Sequence, residues 1–462
     1  MRSSLIAILA LLMFLGSVIL VITVSMAEGS DIPSLSLEEV YASALQKAER
    51  IGISEQDIVI ADRQKDKAFA ALLPRLSAFY GYTRYNAADS LIQQPEAVTS
   101  YGARVDYSLS LGGREFFART AAALLADRSR LDSEAVKEAY LITVAGAYYD
   151  VLRIKRLLEI SRSSIERLTK YRTAASTRLK IGEVTKTAVL RAEAELSGAQ
   201  SELVRLENLY VYTKALLARL AGLPEGYEIR EPAKDSDIRS DAMVPGCVPL
   251  SVHCAKERAY VLRPEMKAAD LLAQSSKAQL NAAYAAHFPT LSFEGVYSRY
   301  DQRPESLLAN RENIYGGIRL SLPIFEGGLR VAETGEARAR LRQAELTLSD
   351  VKKTVGLEVE QAYLELITQQ GILKSLTDQV SFARENYTAV SRQFEFGLAN
   401  SLDVFDANDL LVSAERQLST AWYNYFVAVI KMKRSAGSFL RTIDLPDQRQ
   451  NNGGTDALTN HD

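Results

Sequence analysis

The stretch Leu322-Pro323-Ile324-Phe325-Glu326-Gly327-Gly328 is where the chain changes its periodicity. Before the glycines, Ile318, Leu320, Leu322 and Ile324 alternate with Arg319 and Ser321, the period of two expected of a strand whose faces meet different surroundings. Beyond them no proline occurs from 328 to 395, so one helix of about 68 residues could run there, roughly 100 Å at 1.5 Å per residue. Its apolar rows return every seven residues: Leu341, Leu348, Val355 and Ala362, then Leu376, Ala383 and Val390, broken at Gln369. A second row runs Val359, Leu366, Leu373, Val380, Tyr387 and Phe394. Sevenfold spacing predicts coiled-coil packing with a left-handed supercoil.

The same transition stands once before, at a constant offset of 289 − 74 = 215 residues. Pro74 returns as Pro289, Tyr82-x-Arg84-Tyr85 as Tyr297-x-Arg299-Tyr300, and Gly102 as Gly317. Gly112-Gly113 returns as Gly327-Gly328, Ala147-Tyr148 as Ala362-Tyr363, Gly182 as Gly397, Tyr210 as Tyr425, and Ala221-Gly222 as Ala436-Gly437. One supersecondary unit is built twice, which points to a pseudo-symmetric object rather than a single catalytic pocket.

Each copy opens on alternating strands. Leu76, Ala78, Tyr80 and Tyr82 share one face, and Val105, Tyr107, Leu109 and Leu111 alternate with Arg104, Asp106, Ser108 and Ser110. In the second copy Leu291, Phe293 and Tyr297 oppose Ser292, Glu294 and Ser298. Strands of this length with tyrosines near their ends suit the wall of a membrane β-barrel. A soluble sheet with one buried face shows the same alternation. Four strands cannot close a barrel, and lipid tolerates no open edge, so a membrane barrel would have to be shared: three chains would give twelve strands.

Two further helices are expected at about 184–222 and 399–437. In the second, Val404, Leu411, Leu418, Tyr425 and Met432 form a large row beside Ala407, Ala414, Ala421 and Ala428; in the first the rows are Val189, Leu196, Leu203, Tyr210 and Leu217 beside Ala192 and Ala199. Such stripes are ordinarily core. The chain divides accordingly into 28–222, with a hairpin at 75–111 and long helices at 113–222; a proline-rich linker at 223–262; 263–437, with a hairpin at 290–325 and long helices at 328–437; and a polar tail at 438–462 expected to lack order. Residues 1–27 read as a signal peptide, with Arg2, an apolar run from Leu5 to Val24, and small residues at Ser25 and Ala27; a retained membrane anchor is the alternative. The formal net charge of -2 gives no indication of a nucleic-acid partner. In an exported chain, Cys247 and Cys254 read as a small-loop disulfide, since one nearby His253 does not complete a zinc site.

Over the whole mature chain these residues resemble the TolC family of outer-membrane efflux proteins. The carriers are Leu322 to Gly328, similar to the family's strand-to-helix motif, and Phe396-Gly397-x4-Leu402-Asp403-Val404-x-Asp406-Ala407, similar to its periplasmic tip. The first copy departs from the motif, with Ser108 in the place of the proline and Leu111 in that of the acid. The resemblance implies a mainly α homotrimer with a membrane β-barrel of twelve strands, four per chain, continued by a helical coiled-coil barrel into the periplasm. It implies an exit duct for a tripartite efflux pump or type I secretion system. The expected partners are outer-membrane lipid, a periplasmic adaptor and, through it, an inner-membrane RND or ABC transporter.

Asp403 and Asp406 lie three apart on one helix face. They are either acids favouring a helix start or, through threefold symmetry, a ring of six carboxylates at the tunnel constriction. Where the family closes this tip through a tyrosine, an arginine and an acid, Phe394, Ala399 and Ala188 stand here, so closure is expected from apolar packing with contacts from Lys186 or Thr187. Gly182, Lys186, Thr187, Gly397 and Leu398 would present the adaptor surface, or simply turn two hairpins. Gly112, Gly113, Gly327 and Gly328 turn strand into helix. No nucleophile motif, clustered histidines or nucleotide motif appears, so neither an enzyme nor a cofactor is expected. The rival readings are an envelope-anchored structural coiled-coil protein and a periplasmic adaptor.

Overall fold

The computed structural model of the chain describes residues 34–86, 95–224, 226–232, 244–303 and 310–443. The signal-peptide reading and most of the polar tail lie outside these residues. The first copy runs β1 (Ser34–Leu35), α1 (Leu37–Lys47), α2 (Glu49–Ala70), β2 (Arg75–Arg84), β3 (Ala97–Ser110), α3 (Arg114–Lys180) and α4 (Lys186–Ala221). After β4 (Glu228–Ile229) come α5 (Val252–Leu262), α6 (Pro264–Ala285), β5 (Thr290–Arg303), β6 (Glu312–Ser321), α7 (Leu329–Glu395), α8 (Ser401–Ser435) and α9 (Phe439–Thr442).

Four strands form one antiparallel sheet in the order β2-β3-β5-β6, with β2 and β6 at its edges, while β1 pairs in parallel with β4. The registers Leu76↔Val105, Ala103↔Tyr297 and Tyr297↔Ile314 carry the apolar rows onto one face, and Arg75↔Asp106, Asp106↔Glu294 and Glu294↔Gly317 carry the polar ones onto the other. On the polar face Arg104 pairs with Glu294 and, at 3.6 Å, with Asp106. Among the described residues nothing covers the apolar face: Leu76 is 77% exposed, Tyr80 73%, Ile314 77% and Ile318 73%. Water would not be the medium such a face is shaped for.

Helices α3 and α7 each span 67 residues, close to the length expected from the proline-free runs. Every member of the Leu341, Leu348, Val355, Ala362, Leu376, Ala383, Val390 row is buried or half-buried. Leu366 and Val359 pack with Tyr425 and Met432, bringing α7 and α8 together, while Ala428 and Ala436 allow close approach. The other large core gathers α1, α3, β4, α8 and α9 around Val40, Tyr148, Tyr149, Ile229, Phe426 and Phe439; Tyr149 stacks on Phe426 at 5.3 Å.

Three boundaries differ from expectation. The second copy begins before residue 263: α5 starts at Val252, 215 residues after Leu37, so the latter part of the 223–262 linker is the counterpart of α1. The prolines at 245 and 249 concealed it. β6 stops at Ser321, because Pro323 has no amide hydrogen to offer a ladder, and Leu322 to Phe325 continue outside the strand. The tail does not turn polar at once, since Phe439 is buried against Tyr41, edge to face at 6.0 Å.

Candidate functional site

The two helical hairpins end side by side, and each tip is a short turn through a glycine. Gly182 and Gly397 adopt φ of +83° and +74°, a region that costs a residue bearing a Cβ of order 1 kcal/mol or more. Behind the turns, Leu168, Tyr171, Ala175, Ala192, Phe394, Val404 and Phe405 make a core shared by both copies. Tyr171 holds it centrally, 5.0 Å from the ring of Phe394 and 4.8 Å from that of Phe405. Burial pushes the Tyr171 hydroxyl above its ordinary pKa, with Ser401 and Arg178 opposing the shift.

One side chain crosses from the first tip to the end of α7. The Arg178 guanidinium lies 4.7 Å over the Phe394 ring, and Nη1 donates to the Phe394 carbonyl at 2.6 Å. Nη2 donates to the Glu395 carbonyl, and Nε stands 3.8 Å from Glu183. The last carbonyls of a helix lack intrahelical partners and carry its negative end, so a guanidinium satisfies both at once. The position sits in the last turn of α3, where a basic residue is ordinary on dipole grounds alone. That signal was visible in the sequence, but nothing there said which helix end the arginine would reach.

Of the positions named from the sequence, Phe394 is buried in this shared core and Ala399 packs half-buried against it. Lys186 and Thr187 are exposed in the first turn of α4, and among the described residues neither forms a hydrogen bond or ion pair. Leu398, with neighbouring Phe396, is 79% exposed. Asp403 and Asp406 are both exposed on α8. The Asp403 carboxylate also accepts from the Asn400 amide at 2.9 Å, while Asn400 Oδ1 accepts from the amides of Leu402 and Asp403 at 2.7 and 3.2 Å. This reciprocal cap is the helix-start role in full for Asp403; Asp406 has no part in it.

At the other end of the long helices, Gly113 and Gly328 cap α3 and α7 in left-handed geometry, with φ of 76° and 88°. Gly327 also has positive φ, at 62°. Gly112 is needed for a different reason: a Cβ there would come within 2.6 Å of the Ala285 carbonyl at the end of α6. Cys247 and Cys254 are joined in a disulfide, Cα atoms 5.8 Å apart, with Cys247 buried beside Val355 and Met432.

A four-stranded sheet with an uncovered apolar face, from which hang hairpins built on 67-residue helices, marks an outer-membrane channel protein. Among the described residues no helix is long and apolar enough to cross a membrane. The chain belongs to the outer membrane efflux protein family, whose model matches residues 40–223 and 257–438. Outer membrane protein TolC of Vibrio cholerae is 23% identical over 416 residues, 87% of this chain and 91% of that one. Alkaline protease secretion protein AprF of Pseudomonas aeruginosa is 24% identical over 425 residues, covering 87% and 85%. Among solved structures, the outer membrane protein VceC of Vibrio cholerae superposes with a TM-score of 0.75 at 19% identity, over 87% of this chain and 96% of that one.

Proposed function

We propose that three copies of this chain close a twelve-stranded barrel in the outer membrane and continue it as a helical tunnel into the periplasm. The tunnel serves as the exit duct of an efflux pump or type I secretion system. The observation that carries this reading is the sheet itself, apolar on its uncovered face and open along β2 and β6. In lipid each unsatisfied backbone group costs several kcal/mol, and further copies of the same strands are the simplest partners for both edges. Relatives named for efflux and for protease secretion support the same role. Like other members of this family of channels the chain does no chemistry of its own; energy comes from an inner-membrane transporter reached through a periplasmic adaptor.

In this reading the glycine turns at 112–113 and 327–328 mark the passage from barrel to tunnel, and the two copies supply alternate staves of it. The exposed apolar tip at Phe396 and Leu398, with Gly182, Lys186, Thr187 and Gly397, faces the adaptor. Asp406 lines the tunnel mouth in threefold array, with Asp403 on the same face although part of its bonding capacity is spent on the cap. Arg178 supplies the polar link between hairpins that Phe394, Ala399 and Ala188 cannot. Mass measurement in detergent should show three chains, and planar-bilayer recordings should show a conducting pore. A stable monomer with all its strands in lipid would overturn the assembly. Replacing Asp403 and Asp406 by Ala should lower cation selectivity and weaken block by a trivalent cation on the periplasmic side; unchanged selectivity and block in an assembled trimer would remove the carboxylate ring.

A further inference from the structure

About a third of the way along α3, far from both the sheet and the tips, Glu138 is 4% exposed and among the described residues forms no hydrogen bond or ion pair within 4 Å, and its Oε2 is fully buried. It faces a cluster contributed by three elements of the other copy. Arg263, 2% exposed at the joint between α5 and α6, donates to Glu265 at 2.9 and 3.2 Å and to Glu358 of α7 at 2.5 Å. Arg434, near the end of α8, donates to the same Glu265 at 2.9 Å and stands 3.8 Å from Glu358. Two guanidiniums are thus already matched by two carboxylates. Glu138 is the odd acid, and its remaining neighbours offer it no cation. On α3 itself Glu134 is exposed and adds repulsion, Asp132 is paired with Arg128 at 3.3 Å, and Lys137 is paired at 2.9 Å with Glu55 of α2.

An ionised carboxylate left buried without a partner costs several kcal/mol, whereas the neutral acid leaves the cluster balanced. We propose that Glu138 is a proton-operated strut between the two copies: protonated, it lets α3 seat against α6 and α8, and on losing its proton it places an uncompensated charge in that seat and loosens it. Burial, then the nearby charge of Glu265, push its carboxyl up to about 7 from 4.5. Glu265, although burial acts on it the same way, is held below the usual range by Arg263 and Arg434. Between these limits the folded state binds the proton that the unfolded chain has released. Stability therefore falls as pH rises from about 4.5 to about 7 and stays at the lower level above. This holds whether or not the chain is a duct, since it concerns one protomer's own packing.

The test uses the full chain as assembled in detergent. Hydrogen exchange of residues 134–142 and 265–272, corrected for the intrinsic pH dependence of exchange, is followed from about pH 5 to about pH 8 in wild type, E138Q and E138L. The wild type should lose about two orders of magnitude of protection across that range, and both neutral variants should hold theirs. If one variant fails to assemble the other serves. As an independent readout, the infrared carbonyl band of a protonated carboxyl should disappear from the wild type over the same range and be missing in the variants. Equal pH slopes in wild type and both variants, or no titrating carboxyl band, would overturn the proposal. A protein that exchanges as expected but passes no current would instead overturn the duct reading.

Discussion

The two hairpin tips have nearly the same backbone and different chemistry. Both turn through a glycine at positive φ, 215 residues apart, after helices of equal length. The first carries Glu183 and Lys186 at its turn and enters α4 from Thr185, whose side chain caps nothing. The second carries Phe396 and Leu398 in the open and enters α8 through the complete Asn400–Asp403 cap. Arg178 has Gln393 as its counterpart in the second copy, so the link across the tips runs one way, from first to second. Duplication kept the geometry that glycine imposes, and the side chains were then free to divide the work. One tip anchors, and the other is anchored and exposes apolar surface.

This contrast can be broken most forcefully at the ring the anchor grips. Phe394→Ala empties a site between Tyr171 and Arg178 and should cost about 3–5 kcal/mol of local stability. Hydrogen exchange at the end of α7 and the start of α8 would read it, and protection within about 1 kcal/mol of wild type would show that the shared core is not what holds the tips. Arg178→Ala should cost about 1.5–3 kcal/mol at the same residues, the range for hydrogen bonds to a charged group. Gln393→Ala should do almost nothing. In bilayer recordings the Arg178 variant should dwell longer in high-conductance states, and equal behaviour of the two variants would abolish the one-way link. Asn400→Ala should cost about 1 kcal/mol at the start of α8, with Thr185→Ala below about 0.5 at the start of α4. The smallest effect expected is acidic. Glu202 of α4 is held at about 2, first by Arg205 and then by Arg416 of α8, so its tie between hairpins is present above about 4.5 and is lost as pH falls through about 2. Glu202→Gln should flatten that part of an acid unfolding profile.

The strands and long helices were legible because their signals are local. A period of two, a period of seven and the absence of proline each report on a few adjacent turns. The 215-residue offset then doubled every observation. What the sequence concealed was set at a distance: that α5 matches α1 despite two nearby prolines, that Phe439 folds back onto Tyr41, and that Arg178 reaches the carbonyls of another helix. Asp403 illustrates the same limit. Its spacing from Asp406 was plain, but Asn400 as its reciprocal partner was not singled out. Glu138 was invisible for the strongest reason, since an acid in a heptad pattern looks solvated until the opposing helices are in place.

The equal length of α3 and α7 also makes the chain a measuring rod in duplicate. Adding one residue to either helix would push its tip about 1.5 Å beyond the other and swing its core row about 100° out of line. Adding seven to both, and seven to each of the returning helices α4 and α8, would preserve the seams and lower the whole tip plane by about 10 Å. The gap such a protein can bridge is therefore quantised in heptads, and its reach can be altered only by editing four helices in step.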